Sequence, residues 1–241
     1  MLKRLVASVF VVAGTVSLGP VGWRAQASSG PLDGLGPDVR LAVSERLDFV
    51  ESDATLNLGR SNVFSLSAGD FTVHTWVRFA DMVQPEEWGT VPCFGDPGCD
   101  MSILDKMASP NDVVNSNGWR LLKQSDNRFW FCLGVDGDNG CGGDASPTTV
   151  ISQTVAQPDR WYSVAVTKTS THLSIYVDGI LERQTELGEY FDDNAADLLV
   201  GANDPQGALL YGWVGDVALF KRALNSGHVR ALFETSKQEY Q

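Results

Sequence analysis

Side chains that could bind a cation or form a crosslink crowd two stretches of this sequence, PCFGDPGCD at 92–100 and VDGDNGCGGDASP at 135–147. Asp136, Asp138, Asn139 and Asp144 invite comparison with a helix-flanked calcium loop, whose oxygen ligands fall at fixed offsets and close on a bidentate Glu. The spacing fails, because Gly140 stands at the third ligand position and Pro147 where the Glu is required. Cys93, Cys99, Cys132 and Cys141 make an even set, which in an exported chain implies disulfides. Three pairings exist. Cys93–Cys99 with Cys132–Cys141 is favoured, since each bond would close a local Gly/Asp-rich loop. Zinc is the rival, but paired C-x-x-C spacing and a nearby His are both missing.

Catalytic patterns are weak. Glycoside hydrolysis on a β-sheet needs two carboxylates converging on one bond, and no strand-like stretch carries alternating acids. Glu182 and Glu186 lie four apart across the end of a strand. No G-x-S-x-G, H-E-x-x-H or Cys–His arrangement occurs. His74, alone on a strand, reads as a packing residue. Sugar recognition would use aromatic platforms. Trp88, in a Pro/Gly-rich loop, and Trp119 are the candidates for ligand binding, with Trp130, Trp213 and Tyr211 also available.

The elements that must position these residues are strands. Residues 160–184, RWYSVAVTKTSTHLSIYVDGILERQ, alternate with period two. Trp161, Ser163, Ala165 and Thr167 fall on one face, Tyr162, Val164 and Val166 on the other. Asp178-Gly179 between two such runs signals a hairpin, because both turn positions tolerate positive φ. FTVHTWVRF at 71–79, MSILDK at 101–106, GWRLLKQ at 118–124, RFWFCLG at 128–134, TTVISQTV at 148–155 and YGWVGDVALF at 211–220 read as further strands. Short runs at 47–50, 55–58 and 198–201 join them. One helical pattern, 224–234, closes the set, with Ser226 as its N-cap. Many strands, turn residues between them and a single helix predict an all-β, two-sheet antiparallel jelly-roll sandwich with one short C-terminal helix.

The N-terminus reads differently. Lys3 and Arg4 precede an apolar run, and Ala25-Gln26-Ala27 is a small-residue cleavage pattern, so residues 1–27 are expected to be a secretory signal peptide. Residues 28–39 form a flexible lead-in, 40–236 the domain and 237–241 a tail. The chain carries 18 basic and 30 acidic residues, net −12. Losing Lys3, Arg4 and Arg24 but no acid would move that to −15. Such a charge argues against nucleic acid or an anionic membrane as partner. The expected location is secreted, extracellular or at the cell surface, with the periplasm as an alternative.

In their order, FTVHTWVRF, SILDK, NGWRLLKQSDNRFWFCLG, RWYSVAVTKTSTHLSIYVDG, LLVGAND, GWVGDVALFKRAL and HVRALFE resemble the laminin G-like, or pentraxin-like, jelly-roll domain of the concanavalin A-like lectin/glucanase superfamily. The resemblance covers about residues 40–235. It implies calcium between a loop bearing Asn115 and Asn117 and a turn bearing Asn203, Asp204 and Gln206. An alternative edge site would use Asp48 and Asp216. Pentraxins proper also bridge two of these strands by a disulfide, and this chain has no Cys there. The function implied is a non-catalytic module binding an extracellular glycan or protein, with calcium assisting. A structural or adhesive component of a surface assembly is the first alternative, and a polysaccharide-acting enzyme the second.

Overall fold

The computed structural model describes residues 10–12, 15–17, 39–41, 47–50, 55–61, 64, 66, 69–84, 99–107, 118–134, 146–187, 196–203 and 208–240. In chain order the strands are β1 (Phe10–Val12), β2 (Thr15–Ser17), β3 (Val39–Leu41), β4 (Leu47–Asp48), β5 (Leu56–Asn57), β6 (Phe71–Phe79), β7 (Met101–Asp105) and β8 (Gly118–Lys123). There follow β9 (Arg128–Gly134), β10 (Thr149–Val155), β11 (Trp161–Lys168), β12 (His172–Val177), β13 (Ile180–Glu186), β14 (Leu199–Val200) and β15 (Gly212–Phe220). Helix α1 (Ser226–Ser236) and a 3-10 turn (Lys237–Glu239) complete the described chain.

Two antiparallel sheets carry the fold. One has six strands in the order β10-β9-β8-β7-β14-β5, the other seven in the order β13-β12-β11-β6-β15-β3, with β4 also on β15. Among the described residues, β1 and β2 pair only with each other. The expected jelly-roll sandwich with one C-terminal helix is what the chain forms.

Alternation decides what lies between the sheets. From the seven-stranded sheet, Phe71, Val73, Val77 and Phe79 of β6 and Tyr162, Val164 and Val166 of β11 point inward. From the other sheet, Trp119 and Leu121 of β8 and Phe129, Phe131 and Leu133 of β9 meet them. Each large apolar side chain taken from water contributes about 1.5–3 kcal/mol. The Asp178-Gly179 hairpin forms as its sequence implies: Val177 pairs with Ile180, and the two turn residues have φ of 51° and 74°.

The outer face of the seven-stranded sheet is closed by the C-terminus. Trp76 stacks between Phe233, with centroids 5.8 Å apart, and Tyr240, at 4.6 Å. Its indole Nε1 donates to Ser236 Oγ at 3.0 Å. Gly215 is required beneath Tyr240, because a Cβ there would lie 2.4 Å from the phenol ring. The residues read as a tail therefore help to seal the sheet. The N-cap also differs from expectation. Asn225, not Ser226, caps α1, its Oδ1 accepting from His228 N at 2.9 Å. The amide oxygen reaches the free N–H three residues on, which is the geometry a cap requires.

Candidate functional site

Strand alternation that turns Trp119, Leu121, Phe129 and Phe131 inward turns Arg120, Leu122, Trp130 and Cys132 outward. Cross-strand register then arranges the outer face of the six-stranded sheet in two rows. The first runs Ser102, Leu122, Trp130, Ile151 across β7, β8, β9 and β10. The second runs Asn57, Leu199, Asp105, Arg120, Cys132, Thr149 across all six strands. Leu122, Trp130 and Ile151 form an apolar cluster of their own, separate from the main core.

Two polar atoms on this face lack a hydrogen-bond partner although they are buried: Ser102 Oγ and Trp130 Nε1. Buried polar atoms are nearly always paired, so each orphan calls for an explanation. In the second row Asp105 is 1% exposed. Its carboxylate accepts from Arg120 Nε in a short ion pair and from Met107 N at 2.8 Å. Burial pushes the Asp105 carboxyl up to about 6, against the pull of the Arg120 guanidinium and the Met107 amide. In this row Asn57 is exposed, Leu199 and Arg120 are half-buried, and Asp105, Cys132 and Thr149 are buried. At the open end Asn57 Nδ2 donates to Asp197 at 2.9 Å and Arg60 pairs with the same carboxylate at 3.3 Å. The face thus has an apolar, closed part with two unmet polar atoms and an open, charged end. Such a surface can receive a ligand that offers both a flat apolar side and hydrogen-bonding groups.

The residues singled out from the sequence are placed as follows. Trp119 is a correction: it is fully buried in the core, stacked on Phe131 at 6.1 Å, and offers no platform to a sugar. Its inward position follows from the alternation that leaves Trp130 outward, so Trp130 is the aromatic that the pattern G-W-R-L-L and R-F-W-F could have identified. Asp48 is exposed on β4, opposite Trp213, and its Oδ1 accepts from Val50 N at 2.8 Å. Asp216 is buried on β15, its own N–H donating to Tyr240 Oη at 2.8 Å. A bulge between Val214 and Val217 sets Asp216 and Gly215 together opposite Trp76, under the C-terminal cover. The structure therefore does not bring Asp48 and Asp216 together.

Asn203 is half-buried at the end of β14, and its Oδ1 has no hydrogen-bond partner. Asn115, Asn117, Asp204, Gln206, Trp88, Cys93 and Cys141 lie outside the described residues. Cys99 and Cys132 are both buried, and no described cysteine is a free thiol. His74 is a packing residue, 1% exposed, with Nε2 2.9 Å from Ser163 Oγ. Among the described residues, no group of three or more His, Cys, Asp or Glu side chains could hold a metal ion. No described helix is long and apolar enough to cross a membrane.

A family model, Laminin_G_3 of the concanavalin A-like lectin/glucanases superfamily, matches residues 51–230. No curated protein matches the sequence. Among solved structures, the binding domain of botulinum neurotoxin serotype G aligns with a TM-score of 0.56 at 17% identity, over 92% of this chain and 48% of its own. The binding domain of Paraclostridial Mosquitocidal Protein 1 aligns at 0.54 and 15% identity, over 97% and 52%. The binding domain of botulinum neurotoxin DC, solved in complex with rat synaptotagmin II, aligns at 0.51 and 16% identity, over 75% and 39%. At such identities the likeness is one of fold. This chain spans about half the length of the first two binding domains.

Proposed function

Since the chain belongs to the concanavalin A-like lectin/glucanases superfamily, we propose that it is an exported, non-catalytic module that binds a glycan or protein outside the cell. The single observation that carries the proposal is the pair of unpartnered buried polar atoms, Ser102 Oγ and Trp130 Nε1, in one row beside the Arg120–Asp105 pair. A ligand enters from the open Asn57–Arg60 end and supplies an acceptor to the indole N–H. The narrow exposure at Trp130 admits only the edge of a ligand, such as a sugar hydroxyl or an amide carbonyl. Binding rather than hydrolysis fits the rows, because they hold one carboxylate, and Arg120 already engages it. The neurotoxin DC domain was solved in complex with rat synaptotagmin II, and a protein ligand has equal standing with a glycan in the test.

Calcium assists at the loop rim. The unmet Asn203 Oδ1 supports that part of the reading, since an amide oxygen without a donor is a ready cation ligand. Export through the residue 1–27 signal and the Cys93–Cys99 and Cys132–Cys141 crosslinks belong to the same proposal.

A glycan array and an extracellular-protein array, each run with calcium and with chelator, test it. The expected result is a ligand whose affinity falls about tenfold in Trp130→Phe and Ser102→Ala, the loss of one hydrogen bond each. No retained ligand in the presence of calcium, or unchanged affinity in both variants, would overturn it. Calcium itself is tested by thermal melting, where a stabilising shift that disappears in Asn203→Ala is expected.

A further inference from the structure

Lys123 occupies a position where this sheet otherwise places core residues. On β8 the inward-facing series is Trp119, Leu121, Lys123, and Lys123 is fully buried at the end of it. A buried ammonium must be surrounded by oxygen, and this one is. Nζ donates to Cys99 O at 2.5 Å and to Asn127 Oδ1 at 2.9 Å, with Met82 O and Gln124 O each at 3.4 Å. The four oxygens come from three separate segments of chain, at 82, 99 and 124–127. Three are carbonyls of the main chain and one is an amide, a set of oxygens that suits a cation.

The second shell is arranged for positive charge as well. Asp100, Asp126 and Asp81 surround the ammonium at longer range, and all three favour its charged form. Each also holds the backbone that carries the lining oxygens. Asp100 accepts from Ser125 N at 2.8 Å, Asp126 from Arg128 N at 2.9 Å and Asp81 from Met82 N at 2.6 Å. Asn127 reaches its place through a left-handed backbone, φ 61°. The ring of Phe79 closes the inner side, 5.9 Å from Nζ. Three carboxylates and four neutral oxygens around one ammonium leave the locality negative.

We infer that this is an oxygen-lined cation site whose cation is tethered: the Lys123 ammonium stands where a free monovalent or divalent ion would otherwise be needed to join the three segments. Potassium and ammonium have closely similar radii, so the site is of a size for either. Burial lowers the Lys123 amine to about 8, the cost of holding this charge inside, while the three carboxylates keep it protonated at neutral pH. The site lies on the inward side of β8, opposite the face that carries Leu122 and Arg120.

Chemical rescue tests the inference. Lys123→Ala deletes the equivalent of propylamine, so melting temperature is measured with propylammonium chloride, with isosteric propanol, and with potassium chloride against tetramethylammonium chloride at equal ionic strength. The variant is expected to melt about 5 °C or more below the parent chain. Propylammonium is expected to recover at least half of that loss, potassium to exceed tetramethylammonium, and propanol to do little. If the variant does not fold alone, the yield of folded protein on refolding in each additive is the readout. Rescue by propanol equal to that by propylammonium, or no rescue by either, overturns the inference, since the side chain would then be filling space. Lys123→Met supplies an independent check. It keeps the volume without the charge and is expected to be less stable than the parent; equal or greater stability would overturn the inference.

Discussion

The two outer faces of the sandwich are built by the same alternation and finished in opposite ways. On the seven-stranded sheet most outward polar side chains are engaged internally, although Arg78 Nε has no hydrogen-bond partner. His74 meets Ser163, Trp76 meets Ser236, and Thr72 Oγ1 both donates to Arg222 O and accepts from Leu224 N. Helix α1 and the following turn press Phe233 and Tyr240 onto Trp76. On the six-stranded sheet, Leu122, Trp130 and Ile151 cluster without any such cover among the described residues, and Ser102 Oγ and Trp130 Nε1 are left unmet. What separates the two faces is cover: the C-terminal aromatics seal one, and on the other the unmet donors and acceptors bear a cost that a ligand can remove.

Substitutions can break that comparison, and the largest effect is expected on the sealed side. Trp76→Ala removes a ring held between two others and the Ser236 hydrogen bond, and should cost about 3–5 kcal/mol by urea unfolding. If it costs less than the Trp130 change described below, the sealed face is not the scaffold.

Next comes Arg120→Ala, which strands the Asp105 carboxylate in a buried place and should cost about 3 kcal/mol. The loss carries a pH signature. The folded pKa of Asp105, about 6, lies above its ordinary 3.8, so the folded chain holds a proton that the unfolded chain lacks between those values. Its contribution is complete below the ordinary pKa and is lost as pH rises through 6. Removing Arg120 raises that pKa further, so the destabilisation should be larger at pH 8 than at pH 5. Equal losses at both pH values would mean that the carboxylate is not desolvated. Asp105→Asn should abolish this component of the pH dependence.

A smaller loss, about 1 kcal/mol, is expected for Asn225→Ala, which uncaps the helix that seals the sheet. It should leave ligand affinity unchanged, and a parallel loss of affinity would couple the two faces. Smallest of all on stability is Ser102→Ala, within about 0.5 kcal/mol or slightly stabilising, because it removes a polar atom that has no partner; Trp130→Phe also empties part of a buried ring site and should cost about 1–2 kcal/mol. Ser102→Ala sharpens the contrast by weakening binding without weakening the fold. A cost above about 1.5 kcal/mol for Ser102→Ala would show that its hydroxyl is satisfied within the chain.

Most of the strands were legible because period-two alternation, turn residues and the Asp178-Gly179 pair are local signals. The sites were less so. Trp119 and Trp130 are both strand tryptophans; alternation sets Trp130 opposite Phe129 and Phe131, but nothing local shows that its indole N–H is left unmet on the outer face. The resemblance sets Asp48 and Asp216 at one edge site, yet the bulge at Gly215 turns Asp216 beneath Tyr240. Tyr240 itself read as tail, since a single aromatic after a helix has no periodicity to mark it. The cation-like setting of Lys123 depends on Met82 and Cys99, distant in sequence, and no local pattern could reveal it.

By itself, then, the sequence determined the strands, their turns and their inward and outward faces, since these depend on neighbours one to four residues apart. Tertiary structure alone decided which outer face is sealed, which polar atoms are left unmet and which oxygens surround the Lys123 ammonium. Those are consequences of register between strands far apart in the chain, and register is settled by packing two whole sheets against each other, not by any one of them.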